Sequence, residues 1–252
     1  MSIADRPSES VPSSGLAAYR AARIGRGDAV VETTRAIRSA IFDGVLSSGE
    51  WLREESLSKD LGVSRTPLRE ALNRLEEEGL VQRTPGSGAR VATLTAEDMS
   101  VVYQVRGSLE SMAARAAAQR GGSSAKARLE LLHGQLWETA QAEDSNAFNR
   151  VNIEFHRALK SMADNAYLAR LLSTVETAIR LFGTRTYSAK RMAEVVAEHE
   201  AIVAAIVAGD GDEAARAAEG HAARARAATL EWLLGVPDSP GQFASSTPRQ
   251  TP

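Results

Sequence analysis

The 252-residue chain contains 4 histidines, and three of them stand where helices could deliver imidazoles to a metal ion. His156 lies in the segment NIEFHRAL, and Asn152, four residues earlier, shares its helix face. His199 lies in a helical run beginning near Met192, and His221 in the next run, beyond the turn Gly209-Asp210-Gly211-Asp212. Neighbouring antiparallel helices can carry His199 and His221 to one point. Three neutral imidazoles and an oxygen ligand suit zinc or another divalent transition metal. Spacing alone leaves a second reading open: each imidazole is a half-buried, hydrogen-bonded residue of an amphipathic helix. His133 stands outside the pattern and reads as a surface helix residue.

A different chemistry is written upstream, in the run LREESLSKDLGVSRTPLREALNRLEEEGLV. Leu57 and Leu61 mark the inner face of a short helix, Gly62 supplies a turn, and Val63 is an apolar plug. Leu68, Leu72 and Leu75 mark the inner face of a second helix, which gives a helix-turn-helix pattern. Ser64 is suited to cap that second helix, and Pro67 falls in its first turn, where a missing N–H costs little. Ser64, Arg65, Thr66, Arg69 and Asn73 then lie on its outward face, towards its N-terminal end. That end of a recognition helix enters the major groove of DNA, where Arg can bond guanine O6 and N7 together and Ser, Thr or Asn can bond bases or phosphates. A solvated polar face on an ordinary helical hairpin is the alternative that this segment leaves open. The residues that follow favour the first reading. Residues 80–83 and 89–92 read as two strands around Thr84-Pro85-Gly86-Ser87-Gly88, a small wing directly after the second helix. Gly86 and Gly88 let the wing tip approach a nucleic-acid backbone closely, and Arg83 and Arg90 add positive charge.

The elements that must position these groups follow from composition and breaks. Hydrophobic residues make up 43% of the chain, enough for a sizeable core, while aromatics are 5%, so Leu, Ala, Val and Ile must fill it. The net charge of -2 gives no overall attraction to nucleic acid, so any DNA-binding charge must be local. Cysteine is absent, which excludes disulfides and thiolate metal sites and suits a reducing, cytoplasmic setting. No apolar run is long enough to span a membrane, and the first residues lack the apolar core of a secretory signal. The breaks predict a disordered N-terminal arm over 1–27 and a winged helix-turn-helix over 28–95. An all-helical domain follows over 96–234, and a disordered tail over 235–252. Val30, Thr34, Ile37 and Ile41 predict a first helix for the N-terminal domain. Thr95, with Glu97 and Asp98 after it, predicts the capped start of the second domain, which has about six or seven helices. The fold class is therefore mainly α. No nucleophile, carboxylate pair or phosphate-binding loop in a recognisable motif points to an enzyme.

The run GVSRTPLREALNRLEEEGLV with the wing PGSGARV resembles the GntR family of bacterial regulators. The helical block, with VYQVRGSLESMAARAAA, NIEFHRAL, EHEAIVAAIVAGD and EGHAARA, resembles the FCD effector domain of that family's FadR-type branch. The resemblance implies that Arg65, Thr66 and Arg69 contact the operator, with Gly86 in the wing. Glu55 departs from the fatty-acid-responsive prototype, where the matching residue is an Arg that reaches DNA; Arg53 is nearby but out of register. The resemblance further implies a metal site of Asn152, His156, His199 and His221, holding zinc, or else nickel or manganese. Metal-binding members carry Asp or Asn at the position of Asn152, and the amide is the weaker oxygen ligand. It also implies a small carboxylate effector at the metal, with Arg106 as its first charged partner and Arg150 and Arg180 as weaker candidates. An ion pair of Arg106 with Glu110 is the competing role. Together these imply a homodimer on an inverted-repeat operator, repressing until the effector binds. A metal-free ligand sensor or an activator is the alternative.

Overall fold

The computed structural model describes residues 15–20, 28–84, 88–181 and 187–233. Gly86, the rest of the N-terminal arm and the tail over 235–252 lie outside the described residues. The chain divides into two compact units, the first reaching to Thr95 and the second beginning at Ala96.

The first unit comprises α1 (Ala29–Phe42), β1 (Trp51–Leu52), α2 (Glu54–Leu61), α3 (Arg65–Glu77), β2 (Val81–Thr84) and β3 (Gly88–Val91). Helical periodicity turns Ile37 of α1, Leu57 and Leu61 of α2, and Leu68, Leu72 and Leu75 of α3 into one core. Gly62 ends α2 in the left-handed region at φ 67, which gives the sharp turn into α3. The Arg20 guanidinium lies over this turn, where a Cβ at residue 62 would displace it. Ser64 takes the extended N-cap backbone, but its side chain makes no capping bond and stays exposed. Arg38 of α1 grips Glu78, just past α3, through two hydrogen bonds of 2.9 and 2.6 Å. The wing strands pair antiparallel, with Val81 opposite Val91 and Thr84 opposite Gly88.

Two features of this unit differ from the sequence expectation. The wing has a third strand, β1, in the order β1-β3-β2, with Trp51 opposite Arg90. Two residues are too few to carry an alternating pattern. Part of the N-terminal arm is also ordered: Leu16–Tyr19 form a 3-10 turn, Leu16 is buried in the core, and the Tyr19 hydroxyl donates to Asp43 at 2.7 Å.

The second half of the chain forms α4 (Ala96–Arg120), α5 (Ser123–Gln141), α6 (Ser145–Met162), α7 (Ala166–Leu181), α8 (Ala189–Ala208) and α9 (Gly211–Leu233). Phe148, Phe155, Leu129, Leu136, Met192 and Ile206 lie in the bundle core. Helix α4 packs along α9, with Gly107 facing Ala222 across the contact. Asp144 caps α6 through the Ala147 N–H at 2.9 Å, and Ser188 caps α8 through that of Arg191 at 3.2 Å. From Ala169 on, α7 groups with the N-terminal unit rather than with the single helical domain expected over 96–234. There Leu181 joins the N-terminal core, and the Arg180 guanidinium lies 3.8 Å from the Phe42 ring centroid. His133 is half-buried rather than a surface residue, with Nε2 3.2 Å from the Val196 carbonyl. The result is mainly α, a winged helix-turn-helix followed by a helical bundle. No described helix is long and apolar enough to cross a membrane.

Leu72 has no exposed surface and sits where α3 meets the rest of the N-terminal core. Leu72→Ala should therefore lower unfolding free energy by about 2–5 kcal/mol, as measured by urea titration. A loss within experimental error would contradict this packing.

Candidate metal centre and nucleic-acid interface

Three helices deliver the imidazoles. His199 precedes the Gly209-Asp210 turn by almost the same number of residues as His221 follows it, so the two reach equal depth on α8 and α9. Gly209 closes α8 at φ 77, and Asp210 accepts a hydrogen bond from the Glu213 N–H at 2.9 Å, which fixes that hairpin. His156 arrives from α6. One ring nitrogen from each of His156, His199 and His221 falls within 4.8 Å of the other two, and all three rings are buried. Ring centroids are 5.1 Å apart for His156 and His199, 5.2 Å for His156 and His221, and 4.6 Å for His199 and His221.

Around the rings lies a charged shell. Glu198 accepts from His221 Nδ1 at 2.7 Å, from Arg191 at 2.8 and 3.2 Å, and pairs with Arg224 at 2.8 Å. Glu110 lies 3.0 Å from His156 Nδ1 and accepts from Arg106 Nε at 3.0 Å. Arg106 also reaches His156 Nε2 at 2.9 Å, so its ion pair with Glu110 and its place beside the imidazoles coexist. Burial pushes His199 well below the usual imidazole range, and the neighbouring His221, His156 and Arg106 add to that. Burial likewise lowers His221 to about 4, against the opposing bond to Glu198. For the carboxylates burial acts upward, but Arg106 and His156 hold Glu110 well below its usual range. His221 and Arg191 bring Glu198 down to about 2. At neutral pH, His199 and His221 are therefore uncharged, the form that ligates metal, while both carboxylates are ionised.

The donor set fits a divalent transition metal. Both ring nitrogens of His199 and the Asn152 Oδ1 are buried without a hydrogen-bond partner. Each such orphaned group costs about 1–3 kcal/mol, and coordination removes that cost. His156, His199 and His221 could supply the nitrogens and Asn152 the oxygen. Arg106 stands with the cluster. Arg150, the other expected effector partner, is exposed on α6 and forms no hydrogen bond to these histidines. Sequence reasoning missed Glu198, Arg191 and Arg224 and saw Glu110 only as an ion-pair partner. Two acids at helical spacing from no ligand carry no local signal, although Glu198 directly precedes His199.

In the N-terminal unit, Ser64, Arg65, Thr66, Arg69 and Asn73 all lie on the exposed face of α3 or at its start. Arg69 is held by Glu54 of α2 at 2.8 Å, and Arg83 of the wing by Glu76 at 3.4 Å. Exposed pairs of this kind are worth about 0–1 kcal/mol, so a phosphate or guanine can take either arginine at small cost. Arg90 is half-buried, bonded to Gln82 at 3.3 Å, with its Nε buried and unpartnered. It is less free than a wing-tip cation expected from sequence. Glu55 is exposed in the first turn of α2.

Comparison with known proteins matches both halves of the chain. Residues 30–91 match the model of bacterial regulatory proteins of the gntR family, and residues 101–224 match the FCD domain. The HTH-type transcriptional regulator YdhC of Bacillus subtilis is 33% identical over 172 residues, covering 66% of this chain and 75% of that protein. A Paenarthrobacter nicotinovorans protein described as a "Probable D-xylose utilization operon transcriptional repressor" is 30% identical over 199 residues, covering 78% of this chain and 86% of its own. A crystal structure of a GntR regulator from Rhodococcus sp. RHA1 superposes with a TM-score of 0.64 at 26% identity, covering 80% of this chain and 97% of that one.

His199→Ala should weaken zinc binding by more than about 100-fold in chelator competition on protein purified without a histidine tag. Wild-type affinity in that variant would contradict a centre built on these three rings.

Proposed function

This chain belongs to the GntR family of bacterial regulatory proteins and carries an FCD domain, and on that premise we propose that it is a ligand-responsive repressor. It is a DNA-binding transcription regulator, not an enzyme. Its operator is an inverted repeat bound by a homodimer, and a small organic acid at a metal-containing pocket relieves binding. The observation that carries the reading is the exposed row from Ser64 to Asn73 on α3, beside a wing. The two-fold symmetry of a homodimer maps that row onto two half-sites. Repression has support in the P. nicotinovorans relative, described as a repressor, and in a Bacillus subtilis relative described as a gluconate operon transcriptional repressor. The setting is the cytoplasm, where operator DNA is.

The pocket's charge supports an anionic effector. The Arg106 guanidinium, buried with Glu110 beside the histidines, stands 2.9 Å from His156 Nε2, where a carboxylate at the cluster would meet it. A bound divalent zinc, nickel or manganese ion supplies further positive charge and open positions for carboxylate oxygens. Arg106 orients the acid through its guanidinium. Operator affinity then changes by the effector's differential affinity for two arrangements of the dimer. One observation favours a second reading: Arg106 already contacts His156 Nε2. In a metal-free sensor, that guanidinium and the imidazoles together take the carboxylate. A chelator that leaves effector binding unchanged supports the metal-free reading, and one that abolishes it supports the metal.

Arg65→Ala and Arg69→Ala should each weaken binding to a selected specific duplex by about 1–3 kcal/mol in gel-shift titrations, with the fold intact by circular dichroism. Unchanged specific affinity in both variants would remove α3 from the reading surface.

A further inference from the structure

Two carboxylates touch the histidine cluster from outside. Glu198 is 6% exposed and takes the Nδ1 side of His221 at 2.7 Å. Glu110, also 6% exposed, stands 3.0 Å from the Nδ1 of His156. A carboxylate at such a distance needs a proton on the nitrogen it faces, and a neutral imidazole has one N–H to give. The proton on Nδ1 leaves the Nε2 lone pair as the acceptor: at His156 it takes a hydrogen bond from Arg106 at 2.9 Å, which an ion would displace. His199 has no such partner. Its ring stacks on Phe155 at 4.1 Å between centroids and 12° between planes, and both its nitrogens lack hydrogen-bond partners.

We infer that Glu198 and Glu110 are positioning residues of the metal centre: each fixes its histidine as the Nδ1–H tautomer and presents Nε2 to the ion, while Phe155 orients His199 by stacking. The arginines complete the device. Arg191 and Arg224 hold Glu198 from two helices, and Arg106 holds Glu110 from the preceding turn of α4. Each carboxylate is thus fixed in rotamer against its imidazole, which orients the ring towards a metal. A purely structural ion-pair cluster gives stability and the same tautomer but no effect on metal affinity, so affinity separates the two roles.

The inference rests on the metal reading, so zinc binding by the wild-type protein is measured first, by chelator competition. Its absence overturns both. Long-range proton–nitrogen spectra of the full-length, metal-free protein labelled at histidine nitrogen then report the tautomer of each ring, with only 4 histidines to assign. The expected result is Nδ1–H at His221 and His156, and zinc affinity weakened about 10–100-fold in Glu198→Gln. An Nε2–H tautomer at His221, or wild-type zinc affinity in a folded Glu198→Gln protein, overturns the positioning role while leaving the metal site standing. Should Glu198→Gln not fold, the half-exposed Arg224→Gln, which loosens Glu198 from outside, is read in its place: weakened zinc binding is expected, and wild-type affinity overturns the positioning role.

Discussion

The turn at Gly209 and Asp210 holds α8 against α9 and so sets His199 beside His221 in the bundle interior. Everything else at the centre answers the cost of that burial. Imidazoles and carboxylates taken out of water need partners, and the helices supply them in layers: Glu198 for His221, then Arg191 and Arg224 for Glu198. On the opposite side Glu110 and Arg106 do the same for His156. The packing of α4 along α9 keeps the turn that bears Arg106 and Glu110 close to α9. The nitrogens of His199, the oxygen of Asn152 and one carboxylate oxygen of Glu110 are where this satisfaction stops, and the first two are donors that a metal can take.

The N-terminal unit solves a simpler problem. A three-helix core needs only leucines at helical spacing and one glycine at a left-handed turn, leaving one side of α3 free of packing duty. That freedom is what leaves Ser64, Arg65, Thr66, Arg69 and Asn73 exposed. The acids at the far end of α3 are meanwhile committed within the protein: Glu78 to Arg38 and Glu76 to Arg83. They neutralise charge away from the recognition end, so a chain of net negative charge can still present a cationic tip.

Much of this was legible in the sequence, and the exceptions have physical reasons. The helix-turn-helix was readable because its information is local: period, turn glycine and cap occur within one run. The His199–His221 pair was readable because a short turn between two helices equates their depths. His156 was legible only through resemblance, since its convergence depends on how α6 crosses the bundle. Glu110, Glu198 and Arg224 owe their roles to contacts between helices or across turns, and no spacing announces them. The strand at Trp51 was too short for a pattern. Leu16 is a single apolar anchor in a polar leader, and Arg150 was placed on the right helix but on its exposed side.

Control of DNA binding through the buried centre is tested most directly by operator affinity titrated with an organic acid that stabilises the wild-type protein, in wild type and in His221→Ala. The operator comes from selection out of random-sequence DNA. The acid should weaken operator binding by wild type and leave the affinity of His221→Ala unchanged. An equal response in both proteins would contradict a regulator controlled through this cluster.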